Sequence, residues 1–325
     1  ASGFVALHCI SQLLKRGFKV KGSLRDLKKE NEVRKALKEN LNKDNFEVCK
    51  LDLLKDDGWD KAISNCQYLM HIASPCILKE PKNEKYIIDS AVKGTLRALK
   101  AAHKYKIQKV ILTSSIGSII YGHNKDFSNS NDWTDISIPV GTYIKSKTLA
   151  EKTAWDFIKS LNNPSFSMTS INPGMIFGPL LNDRIKGTSA SLILKTINGE
   201  YPALPNIYFS VVDVRDVAKI HVESIFNNKC KDKRIIVSSS KSISFLYISA
   251  ILRKLGYEKS TSRLVPDQLI KILSIINKDM RITATMIKRG CFSLDISETI
   301  SIYNWNPIPL EKTLFDMSNS LKEFL

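Results

Sequence analysis

The sequence predicts an α/β protein with a doubly wound parallel sheet, and three observations support that prediction. Short apolar runs typical of strands alternate with amphipathic helical segments over the first half of the chain. A turn at Gly3 leads directly into a helix with apolar residues at helical spacing. Small or polar residues, such as Asp52, Ala73 and Ser114, follow the strand-like runs. Ligands of such sheets bind beyond the carboxyl ends of the strands, so we expect these residues to converge on one site.

The elements follow from periodicity and from breaker residues. Apolar spacing predicts helices, in order, over residues 4–17, 31–39, 59–63 and 86–104, and from residue 142 to before Pro164. Apolar runs predict strands over residues 18–24, 47–51, 110–113 and 167–171, and residues 68–75 are predicted as a strand that runs into a loop. After Gly178 the alternation weakens, with a helix at 189–197, a strand at 209–214, a helix at 216–226 and a strand at 235–238. The remainder is predicted to be helical with loops.

This pattern divides the chain into two functional parts. We expect a dinucleotide-binding domain over residues 1–178, to which residues 207–240 return. Residues 179–206 and 241–325 would form a smaller, mostly helical substrate-binding part. The sequence begins at the turn before the first helix, so the first strand of the fold and the first glycine of its turn are missing from it. We expect the chain as written to be less stable, and to bind its cofactor more weakly, than a version in which both are restored.

Composition and charge exclude several classes of function. The chain has 325 residues, of which 43% are hydrophobic and 25% charged, as in ordinary globular proteins. Its formal charge of +17 comes from lysines that are interleaved with acidic residues, so we expect no nucleic-acid partner. No apolar run approaches the roughly 20 residues that span a bilayer, and we expect no membrane partner and no signal peptide. The six cysteines form no C-x-x-C pair, which favours reduced thiols in the cytoplasm and no metal.

The chemical centre of the sequence is the segment that starts at Thr142. Tyr143 and Lys147 are four residues apart on a predicted helix, so their side chains share one face. A phenol has a pKa of about 10 in water, and a neighbouring ammonium group lowers that pKa. The pair can therefore protonate a carbonyl oxygen or deprotonate an alcohol. Because a tyrosine and a lysine at this spacing are common, an exposed helix with scattered charges is the competing interpretation.

Residues near the start of the chain indicate the cofactor. Gly3 and Ala6 are the part of a glycine-rich turn that is present in this sequence. The backbone N–H groups of such a turn and the dipole of the helix that follows would bind a pyrophosphate. At the end of the second predicted strand, Leu24 occupies the position where an acidic residue would bind a free ribose 2′-hydroxyl, and Arg25 follows. An arginine there suits a 2′-phosphate, which predicts NADP(H). The alternative is that Arg25 is a surface charge in a loop.

Together these segments resemble the extended short-chain dehydrogenase/reductase family, within the NAD-dependent epimerase/dehydratase superfamily. The closest resemblance is to its dihydroflavonol-reductase-like and aldehyde-reductase-like branch. The resemblance covers nearly the whole chain and implies a Rossmann-type fold. The matching segments are, in order, residues 1–6, Gly22-Ser23-Leu24-Arg25-Asp26, Asp52-Leu53, His71-Ile72-Ala73-Ser74-Pro75, Thr113-Ser114-Ser115, Tyr143-x-x-x-Lys147, Asn172-Pro173-Gly174, Phe177-Gly178-Pro179 and residues 212–218.

The resemblance also implies roles for individual residues. Tyr143 would be the proton donor to the substrate carbonyl, and Lys147 would lower its pKa and hold the nicotinamide ribose. Ser115 would hydrogen-bond the same carbonyl. Ser114, one position earlier, is the alternative residue for this role. The remaining cofactor contacts implied are Gly3 and Phe4 at the pyrophosphate, Arg25, Asp52 and Leu53 at the adenosine end, Ala73 along the cofactor, and Pro173 and Gly174 beside the nicotinamide.

Several of these residues have a purely structural alternative. Asp52 is equally suited to a turn or a helix cap, and Pro173-Gly174 to a turn. Asp213 and Asp216 are interpreted as structural residues, with Asp216 as a candidate helix cap.

The function implied is reduction of an aldehyde or ketone by NADPH, with a small-molecule substrate and a monomeric or homodimeric protein. A nucleotide-sugar epimerase or dehydratase on the same fold is the first alternative. Such dehydratases usually carry Asp-Glu after the catalytic hydroxyl residue, where this chain has Ile116-Gly117, and such epimerases usually have an acid near Leu24. A non-enzymatic NADP-binding protein is the second, although such relatives tend to lose the tyrosine that is present here. We expect specificity to reside in residues 121–133, 180–205 and 242–289.

Overall fold

The computed structural model describes residues 1–37, 45–75, 80–123, 125–183 and 189–323. Its helices are α1 (Phe4–Lys15), α2 (Glu30–Leu37), α3 (Trp59–Ile63), α4 (Glu84–Lys104), α5 (Thr142–Ser160), α6 (Ser189–Ile197), α7 (Val214–Phe226), α8 (Phe245–Lys254), α9 (Asp267–Leu273), α10 (Lys278–Arg289), α11 (Ser297–Tyr303) and α12 (Leu310–Glu323). Its strands are β1 (Val20–Leu24), β2 (Phe46–Lys50), β3 (Tyr68–His71), β4 (Lys109–Thr113), β5 (Phe127–Ser128), β6 (Ser167–Pro173), β7 (Met175–Phe177), β8 (Tyr208–Phe209), β9 (Val211–Asp213), β10 (Arg234–Val237), β11 (Ile243–Ser244) and β12 (Ser293–Leu294).

A parallel sheet organises the N-terminal part of the molecule. Four strands pair in the order β10-β6-β4-β3, and β1 pairs with β2 in parallel as well. The strands join through helices, because parallel neighbours need a long crossover connection. The prediction of an α/β fold with a parallel sheet is confirmed.

Strand β4 shows why the sheet is doubly wound. All five of its residues are buried, as expected for a strand covered on both faces. Val110 and Leu112 belong to a core cluster shared with α4 and α5, whereas Ile111 belongs to the cluster shared with α7. This alternation follows the two-residue period of a strand, and it places helix α5 against one face of the sheet.

A second core lies in the C-terminal part. Side chains of α6, α8 and α12, including Ile193, Ile248 and Leu314, pack together around Phe177. These helices form the mostly helical region that the sequence predicted after residue 178. Its role in binding substrate remains a prediction.

The predicted boundaries differ from the structure in a few informative places. The predicted strand at 209–214 divides into β8 and β9, which pair with different partners, β11 and β7. Ser210 lies between them, and its hydroxyl bonds to the carbonyl of Ser239 at 2.6 Å. The helix predicted from Asp216 begins at Val214, because Asp213 caps it by accepting from the Arg215 N–H at 2.8 Å. The expectation that Asp216 caps the helix is therefore wrong, and its carboxylate accepts from the Ile308 N–H instead.

Two predictions fall partly outside the described residues. The helix predicted at 31–39 is α2, and its last two positions lie outside them. Five cysteines are free thiols, and Cys76 is also outside. Within the described ranges, no helix is long and apolar enough to cross a membrane, and no cluster of three or more His, Cys, Asp or Glu residues could hold a metal ion.

Candidate active site

Helix α5 carries the tyrosine and the lysine at its first turns. Gly141 precedes the helix with φ = 88°, a conformation that favours glycine. Tyr143 is half-buried, and Lys147 is buried one turn further on. The Lys147 ammonium donates to the backbone carbonyl of Thr113 at 2.8 Å. This bond fixes the cation of α5 to the carboxyl end of β4.

The turn after β4 brings the serine to the same place. The half-buried Ser115 accepts a hydrogen bond from the Gly117 N–H at 3.0 Å. A methyl group built on Gly117 would lie 3.2 Å from Ile144 and 3.3 Å from Ser115 Oγ, so the serine turn packs directly against the helix beside Tyr143. Ser114 points elsewhere, since its hydroxyl donates to Glu151 at 2.6 Å in the interior. The geometry therefore favours Ser115 over the alternative Ser114.

Glu151 forms a buried polar network beneath the site, which the sequence analysis missed. Its carboxylate accepts from Ser114, Ser118 and Asn172 at 2.6, 2.7 and 2.9 Å, and from the Arg234 guanidinium at 2.8 Å. Burial acts to raise the pKa of this carboxyl, but Arg234 and the serine hydroxyls outweigh it, so the pKa is lowered. Asn172 also donates to the Ser115 carbonyl at 3.2 Å. The network thus ties α5 to the serine turn and to strands β6 and β10.

A second missed residue, Glu80, caps helix α5. Its two carboxylate oxygens accept from the Thr142 N–H at 2.9 Å and from the Thr142 hydroxyl at 2.6 Å. A carboxylate at a helix N-terminus also complements the helix dipole. The Glu80 N–H in turn donates to Asp279 at 3.0 Å, which connects the start of α5 to the first turn of α10. The sequence carries no local signal for this cap, because Glu80 and Thr142 are 62 positions apart.

A small cavity, about large enough for one water molecule, lies beside Lys147. His71, Ala73, Ser74 and Lys147 line it together with Ser114. Ala73 is exposed two residues after the end of β3, and its position along the cofactor stays a prediction. The Ser74 hydroxyl is buried and has no hydrogen-bond partner among the described residues. A buried hydroxyl without a partner is costly, so a ligand that offers a polar group here would fit.

The N-terminus of α1 is open to an anion. Gly3 is its N-cap residue and provides no side-chain cap, and the first turn has no acidic residue. A methyl group built on Gly3 would meet no atom within 4 Å. The end of a twelve-residue helix with space in front of it suits a pyrophosphate, with Phe4 as the first helical residue.

The other predicted cofactor residues occupy strand ends. Arg25 is exposed directly after β1. The Asp52 carboxylate accepts from the Leu54 N–H at 3.0 Å, which is the turn role considered as its alternative. Leu53 packs on Gly94 of α4, where an added methyl group would lie 2.8 Å from its Cβ. Pro173 ends β6, and Gly174 leaves no room for a side chain, since a Cβ would lie 2.0 Å from Ser238 Oγ.

Two buried histidines, His71 and His221, are near enough to Lys147 for its charge to act on them. His221 Nδ1 donates to the carbonyl of Val217 at 2.8 Å, so its Nε2 accepts from the Thr113 hydroxyl at 2.7 Å. Burial, assisted by the Lys147 charge, lowers the pKa of His71 to about 4. Burial also lowers the pKa of His221 to about 4. Both rings are therefore neutral at physiological pH.

These shifts predict a stability that decreases in acid. His8 is a third buried histidine, whose pKa burial lowers to about 4. In the unfolded chain each ring has a pKa of about 6.5, so below that pH the unfolded state binds more protons and unfolding becomes easier. From about pH 7.5 to about pH 5, each of the three should reduce the free energy of unfolding by about 2 kcal/mol.

Urea unfolding at both pH values measures this effect. In the variant His71→Asn the difference between the two pH values should shrink by about 2 kcal/mol. An unchanged difference would show that His71 titrates in the folded protein as it does in the unfolded chain.

Together, the parallel sheet, the Tyr–Lys helix and the serine turn define a Rossmann-type, dinucleotide-dependent class of protein. A model of the NAD dependent epimerase/dehydratase family matches residues 1–237. The chain is 35% identical over 247 residues to cinnamoyl-CoA reductase CAD2 of Medicago truncatula, which covers 73% of this chain and 74% of that protein. It is 30% identical over 264 residues to the NADPH-dependent methylglyoxal reductase GRE2 of Saccharomyces cerevisiae, covering 74% of this chain and 77% of that one.

Solved structures agree with the sequence comparisons. The crystal structure of yeast methylglyoxal/isovaleraldehyde reductase Gre2 complexed with NADPH superposes with a TM-score of 0.82 at 25% identity, covering 100% of this chain and 97% of that one. The chain belongs to the NAD dependent epimerase/dehydratase family, of the extended short-chain dehydrogenase/reductase type. It is accordingly an oxidoreductase, as the sequence predicted.

Proposed function

We propose that the protein reduces an aldehyde or a ketone to an alcohol with NADPH, using Tyr143 as the proton donor. The observation that carries the proposal is the arrangement at the start of α5. A half-buried tyrosine lies one turn from a buried lysine whose ammonium is fixed to the Thr113 carbonyl, and the Ser115 turn packs beside them.

Each of the three side chains has a defined task. The Ser115 hydroxyl oxygen already accepts from the Gly117 N–H, so its own hydrogen can be donated to the substrate carbonyl oxygen. Tyr143 donates its proton to the same oxygen as negative charge develops there. The Lys147 cation stabilises the phenolate that Tyr143 becomes. NADPH supplies the hydride that reduces the carbonyl carbon.

The cofactor would lie along the carboxyl ends of the strands. The N-terminus of α1, with Gly3 and Phe4, would bind the pyrophosphate, and Arg25 the 2′-phosphate. Asp52 and Leu53 would flank the adenine, Ala73 would follow the middle of the cofactor, and the Pro173-Gly174 backbone would border the nicotinamide. Relatives described as NADPH-dependent support NADP(H) as the cofactor.

The substrate would be a small or medium-sized carbonyl compound. Two relatives are named as reductases of cinnamoyl-CoA and of methylglyoxal, which differ widely in size. We assign the specificity of this chain to residues 121–133, 180–205 and 242–289. Within these segments, Asn124 and residues 184–188 lie outside the residues that the structure describes. The protein would act in the cytoplasm as a monomer or homodimer.

A coenzyme assay tests the function. NADPH and NADH consumption is measured against a panel of aldehydes, ketones and nucleotide sugars. We expect oxidation of NADPH with at least one aldehyde or ketone. Consumption of neither coenzyme with any carbonyl compound would contradict the proposal, and conversion of a nucleotide sugar would favour the epimerase or dehydratase alternative.

Arg25 should set the preference for NADPH. In Arg25→Ala the 2′-phosphate loses a charged partner, so the KM for NADPH should rise by about tenfold or more, while the KM for NADH changes little. The matched control is Lys159→Ala, an exposed cation at the far end of α5. An equal change in both coenzymes would show that Arg25 does not read the phosphate.

A further inference from the structure

Helix α9 and the turn after it expose an apolar stripe. Leu269, Ile272, Leu273 and Ile276 recur at helical spacing, which would ordinarily mark a face packed on a core. In this structure the stripe faces outward instead, and the side chains of Ile272 and Ile276 are 64% and 84% exposed. Ile275 in the same turn is 74% exposed, and Ile270 is the one buried aliphatic residue of the segment 267–276. A contiguous exposed apolar patch of this kind marks an interaction site.

Basic residues surround this stripe. Lys271, Lys278 and Arg281 are exposed, and Arg281 holds the turn by donating to the carbonyls of Ser274 and Ile275 at 3.2 Å each. The two acidic residues of segment 267–281, Asp267 and Asp279, are half-buried, and Asp279 accepts from the Glu80 N–H. The stripe therefore combines aliphatic side chains with three exposed cations, which outnumber the two half-buried acids of the segment.

We propose that helix α9 and the turn 274–277 dock on the surface of a membrane rich in anionic lipids. Aliphatic side chains beside lysine and arginine are the pattern of helices that lie in the lipid interface. A second copy of this chain is disfavoured, because a two-fold contact would bring the same cations of both copies together, in a protein whose formal charge is +17. The absence of a membrane-spanning run in the sequence led to the expectation of no membrane partner, but a helix that lies on the membrane surface needs no such run.

The docked segment is connected to the candidate active site. Lys278 begins α10, and Asp279 in its first turn accepts from Glu80, whose carboxylate caps α5 next to Tyr143. If the proposed reductase function holds, docking would place the entrance of the site near the lipid phase, where apolar carbonyl compounds partition. The docking itself does not depend on that function, so the two proposals fail separately.

Vesicle co-sedimentation of the full chain tests the proposal without an activity readout. The vesicles contain phosphatidylcholine alone or phosphatidylcholine with phosphatidylserine. We expect binding to the mixed vesicles only, with about a fivefold loss of affinity for each of Lys271→Gln and Lys278→Gln. Ile272→Glu with Ile276→Glu should abolish binding. Matched controls are Lys159→Gln and Ile300→Glu, which change exposed residues of α5 and α11.

Other outcomes would overturn the proposal. No sedimentation with either vesicle, or equal loss in the controls, would show that the stripe does not bind lipid. Concentration-dependent dimerisation that Ile272→Glu with Ile276→Glu removes, in the absence of vesicle binding, would assign the stripe to a second copy of the chain. Circular dichroism of each variant confirms that the fold persists.

Discussion

Tyr143→Phe should reduce the turnover number by at least about a hundredfold while leaving NADPH binding largely intact. The substitution removes the only proton that the proposed mechanism transfers from the protein to the carbonyl oxygen. It leaves the ring, the Lys147 bond to Thr113 and the serine turn in place. Steady-state kinetics with the best substrate of the carbonyl panel and fluorescence titration with NADPH measure the two effects.

The control for this prediction is Tyr68→Phe. Tyr68 is also half-buried, but it begins β3, away from the carboxyl end of that strand, and its ring packs on Phe226. We expect its turnover to stay within about twofold of the unmodified chain, as for surface substitutions that touch no reacting group. Undiminished turnover in Tyr143→Phe would overturn its assignment as proton donor. Loss of NADPH binding together with turnover would show that the tyrosine acts by holding the cofactor.

Glu151→Gln should reduce the free energy of unfolding by about 3–5 kcal/mol. The carboxylate accepts from four side chains at once, those of Ser114, Ser118, Asn172 and Arg234. A glutamine would direct an NH2 group toward some of these donors and would leave the Arg234 charge without its anionic partner. Urea unfolding at neutral pH measures the loss. Glu223→Gln is the matched control, since its ion pair with Arg16 is long, at 3.7 Å, and partly exposed.

A double substitution in the same network distinguishes the contribution of the charge pair to stability from that of the hydrogen bonds. Replacing both ion-pair partners, as in Glu151→Leu with Arg234→Met, removes the uncompensated charge and should be less destabilising than either single change. Equal or greater loss in the double variant would indicate that the hydrogen bonds to Ser114, Ser118 and Asn172 carry the stability instead of the charge pair. In the double variant Asn172 loses the Glu151 carboxylate but keeps Ser118 Oγ and the Ser115 carbonyl as acceptors.

Local patterns predicted much of the fold. Strand β4 is a run of apolar residues buried on both faces, and the Tyr143–Lys147 spacing needs only the geometry of one helix. The sequence analysis therefore placed both residues on one helix and predicted the serine turn after the correct strand. These features depend on neighbours in the sequence, and the alternation of strands and helices determined the rest of the sheet.

Long-range polar contacts could not be predicted in this way. Glu80 caps α5 from 62 positions away, and Arg234 reaches Glu151 across 83 positions. The spacing of Glu151, four residues after Lys147, was a signal that the same face of α5 continues inward, but its partners come from other elements. Helix α9 shows a different limit of local patterns. Its periodicity is that of a core helix, but its apolar face is exposed in the structure.

The most direct test of the proposed mechanism is to trace the transferred hydride from NADPH to the product. NADPH deuterated at the reactive carbon of the nicotinamide is incubated with the protein and a carbonyl substrate, and the alcohol is examined by mass spectrometry. We predict that the alcohol carries the deuterium on its former carbonyl carbon, and that Tyr143→Phe forms almost none of this product. Alcohol without deuterium, or no alcohol with any carbonyl compound, would contradict hydride transfer at the site formed by Ser115, Tyr143 and Lys147.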